Sequence, residues 1–308
     1  MLAYLLAALL ACALLPGDAV TPSEDITCHH FSVGAAANFS VRHIDEHHQH
    51  GYKFKLGEIQ GHKYEQTAEG CNIDLQLALR ETRCHVTDPK AVEDCEVLEM
   101  GEGGAAANCT VMLTRHLTGT TVTRHQCTTT PAHSSDDMMM CPDCPRMRAL
   151  NDPAVAKAVH VAMLKYNQES NNRHDFTLLE VGRVLSGYIP SVGMMTYPKF
   201  ILVETRCPKY IRIAPEACTP RCPHRAQHAV CSTSYSSKTG VASPQCELFP
   251  AKDSTALGPG EVEPRCGPSF HQSPEGAACT SQLTNNDPAL HPICPFPLAV
   301  QLPQQEAV

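Results

Sequence analysis

The chain of 308 residues predicts an α+β fold in tandem, two copies of one helix laid on an antiparallel sheet. Three observations carry that reading. Apolar residues at helical spacing, followed at once by period-2 alternation, occur twice. Cysteines recur at similar intervals near the end of each copy. The length suits two ordinary cores, because single cores stop growing near this size.

Residues 1–19 read as a signal peptide: Leu2 to Leu15 is apolar and uncharged, and Pro16, Gly17, Asp18 and Ala19 follow. That run is shorter than the roughly 20 residues needed to cross a bilayer, and no later stretch is apolar for as long. A soluble, secreted protein is expected. Removing Cys12 with the leader leaves 16 of the 17 cysteines, an even number suited to pairing in an oxidising compartment. Asn38-Phe39-Ser40 and Asn108-Cys109-Thr110 are glycan acceptors in that setting. A net charge of −8 argues against nucleic acid and acidic membrane surfaces as partners, which need clustered Lys and Arg.

The first domain, 20–130, has a helix from about Gly34 to His50 that stops at Gly51. Tyr52, Phe54 and Leu56 then alternate, Ile73, Leu75, Leu77 and Leu79 make its best strand, and Leu117 to Thr120 turns one late strand into the next. A linker, 131–146, holds Cys141-Pro142-Asp143-Cys144-Pro145. In the second domain, 147–249, Asn151 and Asp152 can cap a helix that begins at Pro153 and aligns Val155, Val159, Ala162, Met163 and Tyr166 on one face. Strands follow at Phe176–Leu185, Lys199–Thr205, Ala229–Tyr235 and Val241–Phe249. The remainder, 250–308, has ten prolines and two aromatics and reads as a largely disordered tail tied down through Cys266, Cys279 and Cys294.

Cys84-His85-Val86 with Cys95 eleven positions on, Cys109 with Cys127, Cys141-Pro-Asp-Cys144-Pro and Leu150-Asn151-Asp152-Pro153 together resemble the fetuin family, over about Cys28 to Cys246 and again at Cys294. The resemblance implies two cystatin-like domains. It also implies the bridges Cys28–Cys294, Cys84–Cys95, Cys109–Cys127, Cys141–Cys144, Cys207–Cys218 and Cys231–Cys246. Cys71, Cys222, Cys266 and Cys279 depart from the pattern; pairing among themselves would allow three connectivities. The Leu-Asn-Asp stretch is similar to fetuin-A (alpha-2-HS-glycoprotein) and the complete Cys-Pro-Asp-Cys-Pro loop to fetuin-B, so the subfamily stays open.

The family implies an endopeptidase inhibitor. Cystatins that block papain-like proteases use Gln-x-Val-x-Gly, an N-terminal glycine and a Pro-Trp loop. This chain has Gln66-Thr67-Ala68-Glu69-Gly70 and Ile189-Pro190-Ser191-Val192-Gly193 at the two hairpins, and no tryptophan. In fetuin-B-like proteins the short disulfide loop enters the cleft of astacin-type metalloproteases. That resemblance gives Cys141 to Pro145 the inhibitory role, with Asp143 able to meet the catalytic zinc of the target. A loop stiffened by two prolines and a bridge loses little entropy on entering a cleft. The alternative role, a calcium-phosphate carrier, needs carboxylates alternating on one strand. Here that face reads Asp74, Gln76, Ala78, although Glu93, Asp94, Glu96, Glu99 and Glu102 cluster nearby. His43 and His47, one helical turn apart, with His48 and His50 beside them, could chelate zinc or copper, but no thiol or carboxylate completes a site. No His-Glu-x-x-His, Gly-x-Ser-x-Gly or phosphate-binding glycine loop is present, so binding rather than catalysis is expected, without a cofactor.

Overall fold

The computed structural model describes residues 28, 32–48, 50–98, 104–116, 118–131, 145–148, 152–209, 214–258, 260–262, 264 and 293. Cys141 to Cys144, Cys266, Cys279 and Cys294 lie outside them.

Helix α1 (Val33–His47) starts on Ser32, whose hydroxyl accepts from the Ala35 amide at 3.2 Å, and buries Ala36, Ala37, Ser40, Val41 and Ile44. It ends three residues before the expected His50. The backbone turns extended at His48, whose amide closes the last turn on the Ile44 carbonyl and whose ring lies 5.8 Å from that of Phe54. Gly51, at φ 71, then reverses the chain, a conformation that glycine adopts without steric cost. Four strands follow in sequence order: β1 (Tyr52–Thr67), β2 (Gly70–His85), β3 (Ala105–His116) and β4 (Gly119–Pro131). The alternation of Ile73, Leu75, Leu77 and Leu79 puts all four against the helix, each at most 1% exposed.

In the second domain β5 (Arg146–Met147) precedes α2 (Pro153–Glu169). Asp152 caps α2 by accepting from the Ala154 amide at 2.8 Å, and Pro153 takes the first helical position, where its missing N–H is not needed. The sheet continues with β6 (His174–Ile189), β7 (Gly193–Pro208), β8 (His228–Ser232), β9 (Tyr235–Ser236), β10 (Gly240–Val241) and β11 (Gln245–Phe249). β5 and β7 flank β6, while β8 and β9 share the far edge of β7. Arg146, assigned to the linker from sequence, is already in this sheet, opposite Ser186.

The two domains repeat one another down to their irregularities. Phe54 faces Glu81 as Phe176 faces Glu204, and the breaks in β1–β2 register after Tyr52, Leu56 and Ile59 recur in β6–β7 after His174, Leu178 and Val181. Cys84–Cys95 and Cys207–Cys218 each span eleven residues around a 3-10 turn. Cys109–Cys127 and Cys231–Cys246 join directly opposed residues of paired strands. Cys28 departs from expectation: it is bonded to Cys71, not Cys294. Cys28 lies against the β1–β2 hairpin, where the Tyr64 hydroxyl donates to its carbonyl at 2.6 Å and buried Cys71 is within reach. Cys71 is thereby removed from any pairing with Cys222, Cys266 or Cys279. Cys222 is disulfide-bonded as well, to a sulfur outside the described residues. Among the described tail residues, Ile293 returns to the first domain: it is 2% exposed, packs in the core, and its amide donates to Thr129 Oγ1 at 3.0 Å.

The base of the first domain sits on β6 of the second. Arg183 reaches Glu81 at 3.0 Å with both side chains buried, its guanidinium 5.1 Å above the Tyr52 ring, and the Ala105 amide also donates to Glu81. Burial pushes the Glu81 carboxyl up, and Arg183 and the Ala105 amide draw it back. Beside this pair, Glu180 accepts from His85, from the Gly51 amide at 2.8 Å and from His50 at 3.4 Å. Gly182 makes room for the contact, since a Cβ there would lie 2.6 Å from the Tyr52 hydroxyl. Removing one partner of a buried pair strands the other charge. Glu81→Ala should therefore lower the free energy of unfolding by about 3–5 kcal/mol, read from guanidinium denaturation, whereas Glu93→Ala on the surface should change it by under about 0.5 kcal/mol.

Candidate functional site

Three chain segments meet at one end of the second sheet. The β6–β7 hairpin turns through Pro190, Ser191 and Val192, closed by the Val192 amide on the Ile189 carbonyl at 3.0 Å. On one side of it runs the chain entering β5, where Pro145 lies against Gly187 and a Cβ on that glycine would touch the proline ring at 3.3 Å. On the other side β9 pairs with Met195 and Thr196, and the turn after it is pinned by Ser236 Oγ, which accepts from the Lys238 and Thr239 amides.

The hairpin tip is apolar and open to solvent. Tyr188 and Met194 face each other across the strands at 65% and 57% exposure, with Ile189 next to them. A cluster of large apolar side chains outside the core marks a docking surface more often than chance. Cys141, Pro142, Asp143 and Cys144 lie outside the described residues. Asp143 is two residues before Pro145 in the sequence.

The other candidates from sequence are dispersed. Gln66 to Glu69 are exposed at the first-domain hairpin. Asp74 is half-buried and pairs in register with Lys63 and Met112. Glu93 and Asp94 are in a 3-10 turn, not on a flat strand; Arg42 faces Glu93 at 3.8 Å, and Arg83 faces Glu96 at 3.5 Å. Glu99 and Glu102 lie outside the described residues. Asn38 and Asn108 are both exposed, as a glycan acceptor must be. Of the histidines, His43 and His47 stay together, their ring centroids 3.9 Å apart and His47 bonded through Nδ1 to the His43 carbonyl at 2.7 Å, whereas His48 packs on Phe54 and His50 turns to Glu180. Among the described residues no group of three or more His, Cys, Asp or Glu side chains is arranged to hold a metal ion. Sequence reasoning missed Tyr188 and Met194, whose only signal was an apolar residue on either side of a short turn.

Comparison with known proteins agrees with this geometry. The cystatin domain is matched over residues 144–239. Rabbit alpha-2-HS-glycoprotein is 28% identical over 253 residues, 80% of this chain and 68% of its own length, and the cattle protein is 29% identical over 67% and 56%. The chain thus spans little more than half the length of some of the curated relatives it matches. Among solved structures, mouse fetuin-B superposes at a TM-score of 0.58 with 22% identity, covering 72% of this chain and 69% of that one. It has also been solved in complex with crayfish astacin, TM-score 0.55 at 21% identity over 72% of each chain, and in an inhibitory complex with human meprin beta. The fold is that of a tandem cystatin-domain protein. In sequence the chain is similar to the fetuins of the cystatin superfamily.

The histidine group makes a separate prediction. Burial, then the neighbouring charges of His47 and His125, hold His43 down at about 4, below the 6.5 of an unfolded histidine. Between pH 6.5 and 4 the unfolded chain therefore binds the extra proton, so the stability present above pH 6.5 is lost as pH falls through that window. His43→Gln should flatten this part of the profile of urea midpoint against pH.

Proposed function

We propose that this protein is a secreted endopeptidase inhibitor of the fetuin type, acting by binding on astacin-type metalloendopeptidases. The observation that supports this most is the convergence at one end of the second domain. Pro145, the last residue of the Cys141-to-Pro145 stretch, lies against Gly187 beside an exposed apolar tip made by Tyr188, Ile189 and Met194. A cleft-filling loop flanked by apolar anchors is the arrangement a protease inhibitor needs, because a few central buried side chains dominate interface energy. The Asp143 carboxylate would meet the open coordination position of the target's zinc, and the hairpin tip and the Ser236–Thr239 turn would widen the contact. An extracellular setting is supported by the disulfides, which persist in oxidising compartments.

The calcium-phosphate reading has weaker support, since Glu93 and Glu96 are turned towards arginines and Asp74 stands alone on its strand face. A papain-type target would need anchors that neither hairpin carries.

Inhibition constants against an astacin-type endopeptidase test the proposal. Asp143→Ala should weaken inhibition by about 100-fold or more and Tyr188→Ala by about tenfold, as expected for central anchors, while Glu93→Ala leaves it unchanged. Unaltered inhibition by Asp143→Ala would remove the loop from the mechanism.

A further inference from the structure

The internal repeat gives the second domain a counterpart of the surface through which the first domain is held. In the first domain Glu81 accepts from the Ala105 amide, and the Leu98 amide donates to the Glu81 carbonyl; in the second, Glu204 accepts from the Gln227 amide, and the Arg221 amide donates to the Glu204 carbonyl. By the same register, His50, Gly51 and Tyr52 correspond to Asn172, Arg173 and His174. In the first domain this surface is covered: Glu180 is taken by His50, His85 and the Gly51 amide, and Arg183 by Glu81. In the second it is open, a cleft of about 730 Å³ that includes Asn172, Arg173 and His174 and is walled on one side by residues 251–257.

The charges have changed between the copies in a way that selects the occupant. Glu81 needs Arg183 from outside its domain, whereas Glu204 is answered locally by His174 at 2.7 Å and by Arg221 at 3.8 Å. Asp253, on the wall, is paired with Arg225 at 2.9 Å. Both carboxylates of the cleft are thus matched. The exposed Arg173 guanidinium, standing where the first domain has a glycine, makes no ion pair among the described residues. Leu248 and Leu257 add an apolar flank.

We propose that this cleft is a second docking site, which takes an acidic side chain from a protein segment as the first domain takes Glu180. The carboxylate pairs with Arg173 and the Asn172 amide, a charge-assisted contact of the kind guanidinium groups favour, and a neighbouring apolar side chain of the segment rests on the two leucines. The cleft opens at the start of β6 and the end of β7, the opposite end of those strands from the hairpin tip, so it stays accessible when the tip is engaged.

The test is fluorescence anisotropy with the full chain and a labelled Leu-Glu-Glu-Leu peptide, against Leu-Gln-Gln-Leu. The acidic peptide should bind about tenfold more tightly or better, Arg173→Gln should erase that advantage, Arg173→Lys should keep most of it, and Arg124→Gln on the first sheet should change nothing. Because Arg173 is exposed, thermal unfolding of its variants should match the parent chain. Equal affinity for the two peptides, no binding of the acidic one at millimolar concentration, or indifference to Arg173→Gln would each overturn the proposal.

Discussion

Glu81 and Arg183 leave water together, and desolvating each ion costs several kcal/mol unless the geometry returns it. That requirement sets the relation between the domains. The carboxylate must be met by Arg183 and the Ala105 amide at once, the guanidinium must lie over Tyr52, and Gly182 must have no side chain in the way. A neighbouring carboxylate, Glu180, ties the same strand to His85 and to the Gly51 amide. All of these second-domain groups are on β6, and β6 also carries the hairpin tip and pairs with the strand that follows the linker. The strand that fixes the first domain therefore also presents the proposed inhibitory edge.

Duplication explains why this works with so little sequence likeness between the halves. The registers of the two long hairpins coincide, bulges included, and the eleven-residue disulfide loops coincide with them. What differs is the chemistry at equivalent places. Tyr52 became the seat of a cation–π contact, while His174 in the same place serves Glu204 within its own domain. One copy was left dependent on a partner domain, and the other kept its base open.

Much of this was legible in the residues. The period-2 run from Ile73 to Leu79 could only be a strand facing a helix, and Asp152-Pro153 states a helix start by capping and by fixed φ. The Cys84–Cys95 and Cys207–Cys218 bridges are those that the family resemblance implied. Other features depended on three-dimensional approach. Cys28 bonds to Cys71 because Cys28 lies against the first hairpin, beside Tyr64, which no spacing reveals. His48 leaves the helix to pack on Phe54, so the histidine run that looked like one chelating face is divided among a helix, a core and a domain contact. Ile293 fills the first-domain core from a tail whose composition suggested no order. Tyr188 and Met194 fell outside the strands read from sequence, and only the hairpin shows that they face each other uncovered.

The most direct test of the central claim is an inhibition assay of the secreted, disulfide-intact chain against one astacin-type metalloendopeptidase and one papain-type cysteine protease. Tight inhibition of the metalloendopeptidase with none of the cysteine protease is the predicted result. Inhibition of the cysteine protease alone, or of neither enzyme, would contradict it.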